Sequence, residues 1–291
     1  TEPKVTREGL RNWYDGYRTL SGESLYNPRS VVAALQDNQL ADYWTSSGPY
    51  DEIFYYVKNN IADVRNDIAL MISGESVSAN VKEYAATSTE IKTRDQIISA
   101  MVVYGFLTYD DGRVSIPNRE LMDKFVEMVR TEKELGYVYR LARESEKMLE
   151  ATLSGNTRMM EFILQQAHDT ETGMSGYNSE AELSAIVKLV YLAAREKYDI
   201  QREDKAGVGF VDYVFYPKIN RADDCIILEL KVDHTPEEAI EQIKSRNYAQ
   251  RFIGKLGEQP IYTGRIIAVG ISYFKKDESK RHECRIEVLR T

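Results

Sequence analysis

Two stretches of the second half, Phe210–Pro217 (FVDYVFYP) and Cys225–Val232 (CIILELKV), are apolar almost throughout and carry charge only at Asp212, Glu229 and Lys231. Both are rich in β-branched, aromatic and aliphatic residues, and the polar cluster Lys218–Asp224 between them has the composition of a turn, so the pattern predicts paired strands. Side chains alternate faces along a strand, which puts Glu229 and Lys231 on one side of the second stretch and Leu228, Leu230 and Val232 on the other. In the first stretch Val211, Tyr213 and Phe215 share a face, leaving Asp212 on the opposite one. Paired as a hairpin, the strands bring Asp212, Glu229 and Lys231 to one patch.

The surrounding pattern extends these strands into an α/β domain. From Asn178 it predicts a helix over 179–197, strands over 198–203, 210–217 and 225–232, a helix over 236–253, and strands over 264–273 and 283–290: a hairpin with one helical crossover to a further strand. The first half reads as mostly helical. A short helical stretch ends at Gly16, and a helix runs from Pro28 to about Asp37 with Asn27 as its N-cap. Further helices are expected near 49–61, 62–72 and 93–105. Asp111-Gly112, between the short strands of 106–118, signals a hairpin, and a helix follows over 119–130. Helices, a hairpin and a helix are the arrangement of a winged-helix module. Two more helical patterns, 134–153 and 157–168, lead to the Gly-rich Thr170–Gly176, which marks a boundary. The expected organisation is a helical domain with a winged-helix-like unit over 1–130, a helical connector over 131–176 and an α/β domain over 177–291.

Composition narrows the class. At 291 residues with 43% hydrophobic content the chain is long enough for two cores, and its net charge of -8 argues against a surface coated with basic residues for nucleic acid. The acidic excess lies mostly in residues 1–170. Basic side chains gather instead at Lys244, Arg246, Arg251 and Lys255, and at Lys275, Lys276, Lys280, Arg281 and Arg285. Such clusters can contact phosphates or simply form a solvated face. Cys225 and Cys284 offer neither a disulfide framework nor metal-ligand spacing, so a reducing, cytoplasmic setting is expected. His168, His234 and His282 are scattered. No apolar run approaches the roughly 20 residues that span a bilayer.

Two carboxylates beside an ammonium, on strands otherwise suited to burial, suit a hard divalent cation. The bland reading is an ion pair between Glu229 and Lys231 on a solvated face, with Asp212 as a strand-start residue.

Several segments carry a family resemblance: Trp13-Tyr14-Asp15-Gly16-Tyr17, Tyr26-Asn27-Pro28 with Ser30, Tyr104-Gly105-Phe106-Leu107-Thr108 and Ile116-Pro117-Asn118. They resemble the later part of an AAA-ATPase-like domain that precedes a PD-(D/E)XK nuclease-superfamily domain. No G-x-x-x-x-G-K-[ST] loop occurs in the chain, so ATP binding is not expected. The resemblance implies a restriction-endonuclease-like αβββαβ core in the second half. It implies that Asp212 and Glu229 ligate Mg²⁺ or Mn²⁺ with the Leu230 carbonyl as a third donor, and that Lys231 acts on the attacking water. Glu180 matches an acidic residue on the family's first helix and would be a further ligand, with Glu182 as the fallback; the alternative is a glutamate that complements the helix dipole. Gln242 and Tyr248 match a supporting Gln and Tyr on the helix after the Glu-x-Lys strand, Tyr248 being the better suited to packing. Glu203 is an extra acidic candidate, and His234 follows Lys231 closely enough to approach the site. The expected function is a metal-dependent nuclease acting on nucleic acid, DNA ahead of RNA, with a protein partner left open. The alternative is a catalytically inactive nuclease-fold module for nucleic-acid binding or protein interaction.

Overall fold

In the computed structural model, which describes residues 4–19, 21–44, 61–81, 93–166, 180–205, 210–253, 262–276 and 282–290, the chain divides into two compact units, Thr1–Tyr139 and Arg140–Thr291. Capping side chains set where the helices of the first unit begin. Thr6 accepts the Gly9 amide at the head of α1 (Arg7–Tyr14). Asn27 accepts those of Arg29 and Ser30 at the head of α2 (Pro28–Asp37), with Pro28 in the first turn, where no N–H is needed. Between them Tyr17–Arg18 (β1) and Ser24–Leu25 (β2) pair antiparallel. Residues 49–60 of the expected helix 49–61 lie outside the described residues. α3 (Ile61–Ile72) leads to β3 (Val77–Ser78), and α4 (Arg94–Val103) starts from a capping box of Thr93 and Gln96.

β4 (Thr108–Asp110) and β5 (Arg113–Ser115) then form the expected hairpin. Asp111 and Gly112 both take positive φ, 42° and 80°, the backbone twist of a tight two-residue turn. β3 joins this hairpin to give a three-stranded sheet of order β3-β5-β4; a two-residue strand is too short for alternation to reveal. α5 (Arg119–Thr131) follows, capped by Asn118.

The segments that carried the resemblance meet in this unit. Gly16 sits at φ 123°, where a Cβ would come within 1.9 Å of the Pro117 carbonyl oxygen, so only glycine fits. Tyr17 donates its hydroxyl to the Gly105 carbonyl at 2.9 Å, and the Asn27 amide reaches the Tyr14 carbonyl at 2.8 Å. Glu120, only 1% exposed, gathers the rest: its carboxylate accepts the Ser30 hydroxyl at 2.9 Å and the amides of Tyr43 and Trp44 at 2.8 and 3.0 Å.

α6 (Tyr137–Arg143) runs across the division between units, followed by α7 (Ser145–Ser154) and α8 (Thr157–Gln165). The continuous helix expected over 134–153 is interrupted at Glu144, whose ψ of 0° leaves the helical value. The helix expected over 179–197 is likewise two pieces, α9 (Glu180–Val190) and α10 (Ala194–Lys197). The turn between them carries Tyr191, whose ring meets Phe215 edge-on at 5.2 Å and whose hydroxyl bonds Thr152 at 2.7 Å. Through that bond, and through Cys284 N–H to Glu161 at 2.9 Å, α7 and α8 pack within the second unit.

Its sheet has five strands, β6 (Tyr198–Lys205), β7 (Phe210–Pro217), β8 (Cys225–Val232), β9 (Ile266–Tyr273) and β10 (His282–Arg290), in the order β10-β9-β8-β7-β6. The first three form an antiparallel meander, β8 and β9 run parallel, and β10 returns antiparallel. A parallel pair needs a crossover, supplied by α11 (Pro236–Ser245), whose first turn is fixed by Pro236 and a Thr235/Glu238 capping box. The helix expected over 236–253 stops at Ser245 and resumes as α12 (Gln250–Ile253), because Asn247, at φ 55°, turns the chain and sends Tyr248 into the core.

β8 is central and buried along most of its length, which is why it reads as a nearly unbroken apolar run. On one face Val214, Cys225, Ile227 and Ala268 pack under Ile240 and Ile243 of α11 and under Phe252. Each such large side chain contributes about 1.5–3 kcal/mol on burial. On the other face Tyr213 and Phe215 meet α9 and Tyr191. Both cysteines are buried and free, and no helix among the described residues is long and apolar enough to cross a membrane.

Candidate active site

Where β7 and β8 pair, Tyr213 lies opposite Leu228, and one further step along that register sets Asp212 across from Glu229. Both therefore project from the face covered by α11. There the ladder gives way to a side chain: the Leu230 amide donates to Asp212 Oδ2 at 2.7 Å. On the other flank Glu229 lies beside Gly270 of β9. A Cβ at Gly270 would come within 2.4 Å of the Pro236 carbonyl oxygen and 3.0 Å of Ala239 Cβ, so this glycine lets the head of α11 lie directly on the sheet. Two turns farther along, the same helix brings Gln242 over Glu229.

The result is a closed polar triangle. Lys231 Nζ donates to Glu229 Oε1 at 3.0 Å and to Gln242 Oε1 at 2.8 Å, and Gln242 Nε2 donates to the same Glu229 oxygen. Glu229 is 3% exposed, and its other oxygen, Oε2, is buried without a hydrogen-bond partner among the described residues. Burial, and after it the charge of Asp212, pushes the Glu229 carboxyl up to about 7, with Lys231 opposing the rise. An open cleft of about 420 Å³ adjoins the triangle, lined by Leu230, Lys231, Val232, His234, Glu238 and Gln242.

Of the residues singled out in the sequence, Asp212, Glu229, Lys231 and Gln242 come together, and Leu230 joins them through its amide. Glu180 opens α9, but its side chain and those of Glu182 and Glu203 lie outside the described residues. His234 lines the cleft and bonds Glu238 Oε2 through Nδ1 at 2.9 Å. Tyr248 does not enter the cleft lining; its ring is 1% exposed within the core, and its hydroxyl accepts from Arg246 at 3.2 Å. Two residues escaped the sequence reading. Gly270 was legible as a glycine inside an apolar strand, a mark of close backbone approach. Arg246 was legible only as part of a basic cluster, although it stands four residues after Gln242.

The donor set suits a hard divalent cation. Glu229 Oε2 is a buried acceptor with nothing to accept from, and a second carboxylate beside it makes its ionisation costly in the absence of positive charge. Among the described residues no group of three or more His, Cys, Asp or Glu side chains is placed to share a metal, so two carboxylates are what these residues offer.

Residues 179–283 match the model of the PD-(D/E)XK nuclease superfamily. That span holds every residue of the triangle and Asp212. It leaves out residues 1–178 and 284–291, and nothing in the match supports an ATPase-like module in the first of these. No curated protein and no solved structure matches the chain.

Proposed function

We propose that this PD-(D/E)XK nuclease superfamily domain hydrolyses phosphodiester bonds of nucleic acid, DNA ahead of RNA, with the help of Mg²⁺ or Mn²⁺. The observation that carries the reading is the buried, unpartnered Oε2 of Glu229 next to Asp212 on the neighbouring strand. Asp212 and Glu229 are the residues that would hold the cation, with the Leu230 carbonyl and Glu180 as further donors. When bound, such a cation neutralises phosphate charge and makes its water more acidic. Lys231, held by Glu229 and Gln242, keeps its ammonium at the mouth of the cleft, where it orients the attacking water and offsets negative charge as it grows on the phosphate. Gln242 fixes Lys231 and shares its load on Glu229. Tyr248 supports the site from the core.

The test is cleavage of single- and double-stranded DNA and RNA by the purified chain. Activity is expected with Mg²⁺ or Mn²⁺ and absent with Ca²⁺ or chelator, since Ca²⁺ accepts looser coordination that leaves the water unplaced. Equal behaviour of the wild type and Asp212→Ala across all four substrates would sink the enzyme reading. One observation favours the rival, an inactive nuclease-fold module that binds nucleic acid or a protein partner: among the described residues no third His, Cys, Asp or Glu side chain is placed to share a metal with Asp212 and Glu229. Binding without cleavage on the same panel would decide for it. For residues 93–131, the hairpin between α4 and α5 supports a winged-helix-like reading, and the free, buried cysteines accord with an intracellular setting.

A further inference from the structure

Arg246 closes α11, and its amide bonds the Gln242 carbonyl at 3.1 Å, so the two residues stand one turn apart on one side of the helix. Gln242 is the residue that reaches Glu229, and the side that faces the triangle therefore continues, about 5.4 Å farther along, into Arg246. Two other cations of this region are already engaged by carboxylates. Lys244 pairs with Glu287 at 2.6 Å and Lys231 with Glu229. Arg246 is exposed, and among the described residues it pairs with no carboxylate.

Its partner is instead the neutral hydroxyl of Tyr248. That phenol is set firmly: Asn247 reverses the chain at φ 55°, and the Tyr248 ring packs with Ile243, Phe252 and Val214 in the core. A guanidinium held by a neutral acceptor keeps its full charge for an incoming anion, and one held in place loses less freedom when it binds. The Tyr248 hydroxyl first, and last the Glu229 carboxylate, raise Arg246 above the ordinary guanidinium value. This also accounts for a Gln and a Tyr six residues apart: Gln242 serves Lys231 and Glu229, and Tyr248 serves Arg246.

We propose that Arg246 is the cation that grips a backbone phosphate of the nucleic-acid strand at this site, and that Tyr248 is the positioning residue that aims it. The proposal rests on the nuclease reading, and it names the part of the substrate that is recognised: the charged backbone, irrespective of base.

The experiment measures binding of labelled single- and double-stranded DNA oligonucleotides, with Ca²⁺ present to prevent cutting, across a salt series, alongside Mg²⁺-dependent cleavage. Arg246→Ala is expected to weaken binding about tenfold and to lower the slope of log affinity against log salt by about 1. Arg246→Lys keeps the slope and loses only part of the affinity. Tyr248→Phe, which retains the ring in the core, is expected to weaken binding about threefold with an unchanged melting temperature, and to have no effect when Arg246 is already alanine. An unchanged affinity and slope for Arg246→Ala, in a chain whose wild type cleaves, overturns the proposal and leaves the nuclease reading standing. A Tyr248→Phe effect that persists in the Arg246→Ala background overturns the role given to Tyr248. A wild type that neither binds nor cleaves removes both readings together.

Discussion

Two buried glutamates, one in each unit, show what burial alone does not reveal. Glu120 is 1% exposed and Glu229 3%. In each case burial is the first cause of a raised carboxyl pKa. Glu120 is answered entirely by neutral donors, the Ser30 hydroxyl and the amides of Tyr43 and Trp44, and these hold its charge while tying together pieces of chain far apart in sequence. A neighbouring carboxylate raises each, Asp42 for Glu120 and Asp212 for Glu229, but Glu229 is answered on one oxygen only, by an ammonium and an amide. A fully satisfied buried acid is a clamp, whereas one with an idle oxygen next to a second acid is set up to receive something.

That contrast can be broken by exchange of each acid. Glu229→Gln is expected to lower Mg²⁺-dependent cleavage by at least about 100-fold, the scale of losing a positioned electrostatic group. Its melting temperature in chelator should hold or rise, because a strained charge has gone. Glu120→Ala should do the reverse, costing about 3 kcal/mol in urea unfolding by stranding buried amides, with the second unit's chemistry untouched. If Glu229→Gln proved the more destabilising of the two, Glu229 would be the structural acid and the comparison would invert.

The pH dependence of stability sharpens it further. Glu229 holds its proton up to about 7 in the folded chain, against 4.5 for an ordinary glutamate. Between those values the folded state binds more protons, so stability without metal should fall as pH rises through that window, by on the order of 3 kcal/mol at most. Unfolding in chelator at pH 5 and pH 8 measures the difference, and Glu229→Gln should flatten it. Lys231→Ala is a smaller probe of the same triangle: turnover should drop by about 10- to 100-fold while calorimetric Mn²⁺ binding is retained, since its ammonium acts on water and phosphate.

Much of the second unit was legible because strand chemistry is local. The ranges of β7 and β8, the shared face of Asp212, Glu229 and Lys231, and the crossover to β9 all follow from alternation and from the order of elements. What escaped depends on single backbone angles or on distant partners. The stop at Ser245 hangs on Asn247 at φ 55°, which a hydrophobic pattern does not register, and it alters where Arg246 and Tyr248 point. The Glu120 clamp joins residues 30, 43, 44 and 120, so no window of the sequence contains it. Gln242 was found through resemblance, but its grip on Glu229 depends on how closely Gly270 lets α11 approach.

The bond from the Leu230 amide to Asp212 Oδ2 has a practical consequence. A main-chain proton that would otherwise belong to the sheet ladder is guarded by a carboxylate of the candidate site. Its solvent exchange and its nuclear resonance are therefore tied to where that carboxylate leans. The chain carries its own gauge at this point: one amide signal, followed without label or substrate, registers whatever draws Asp212 away.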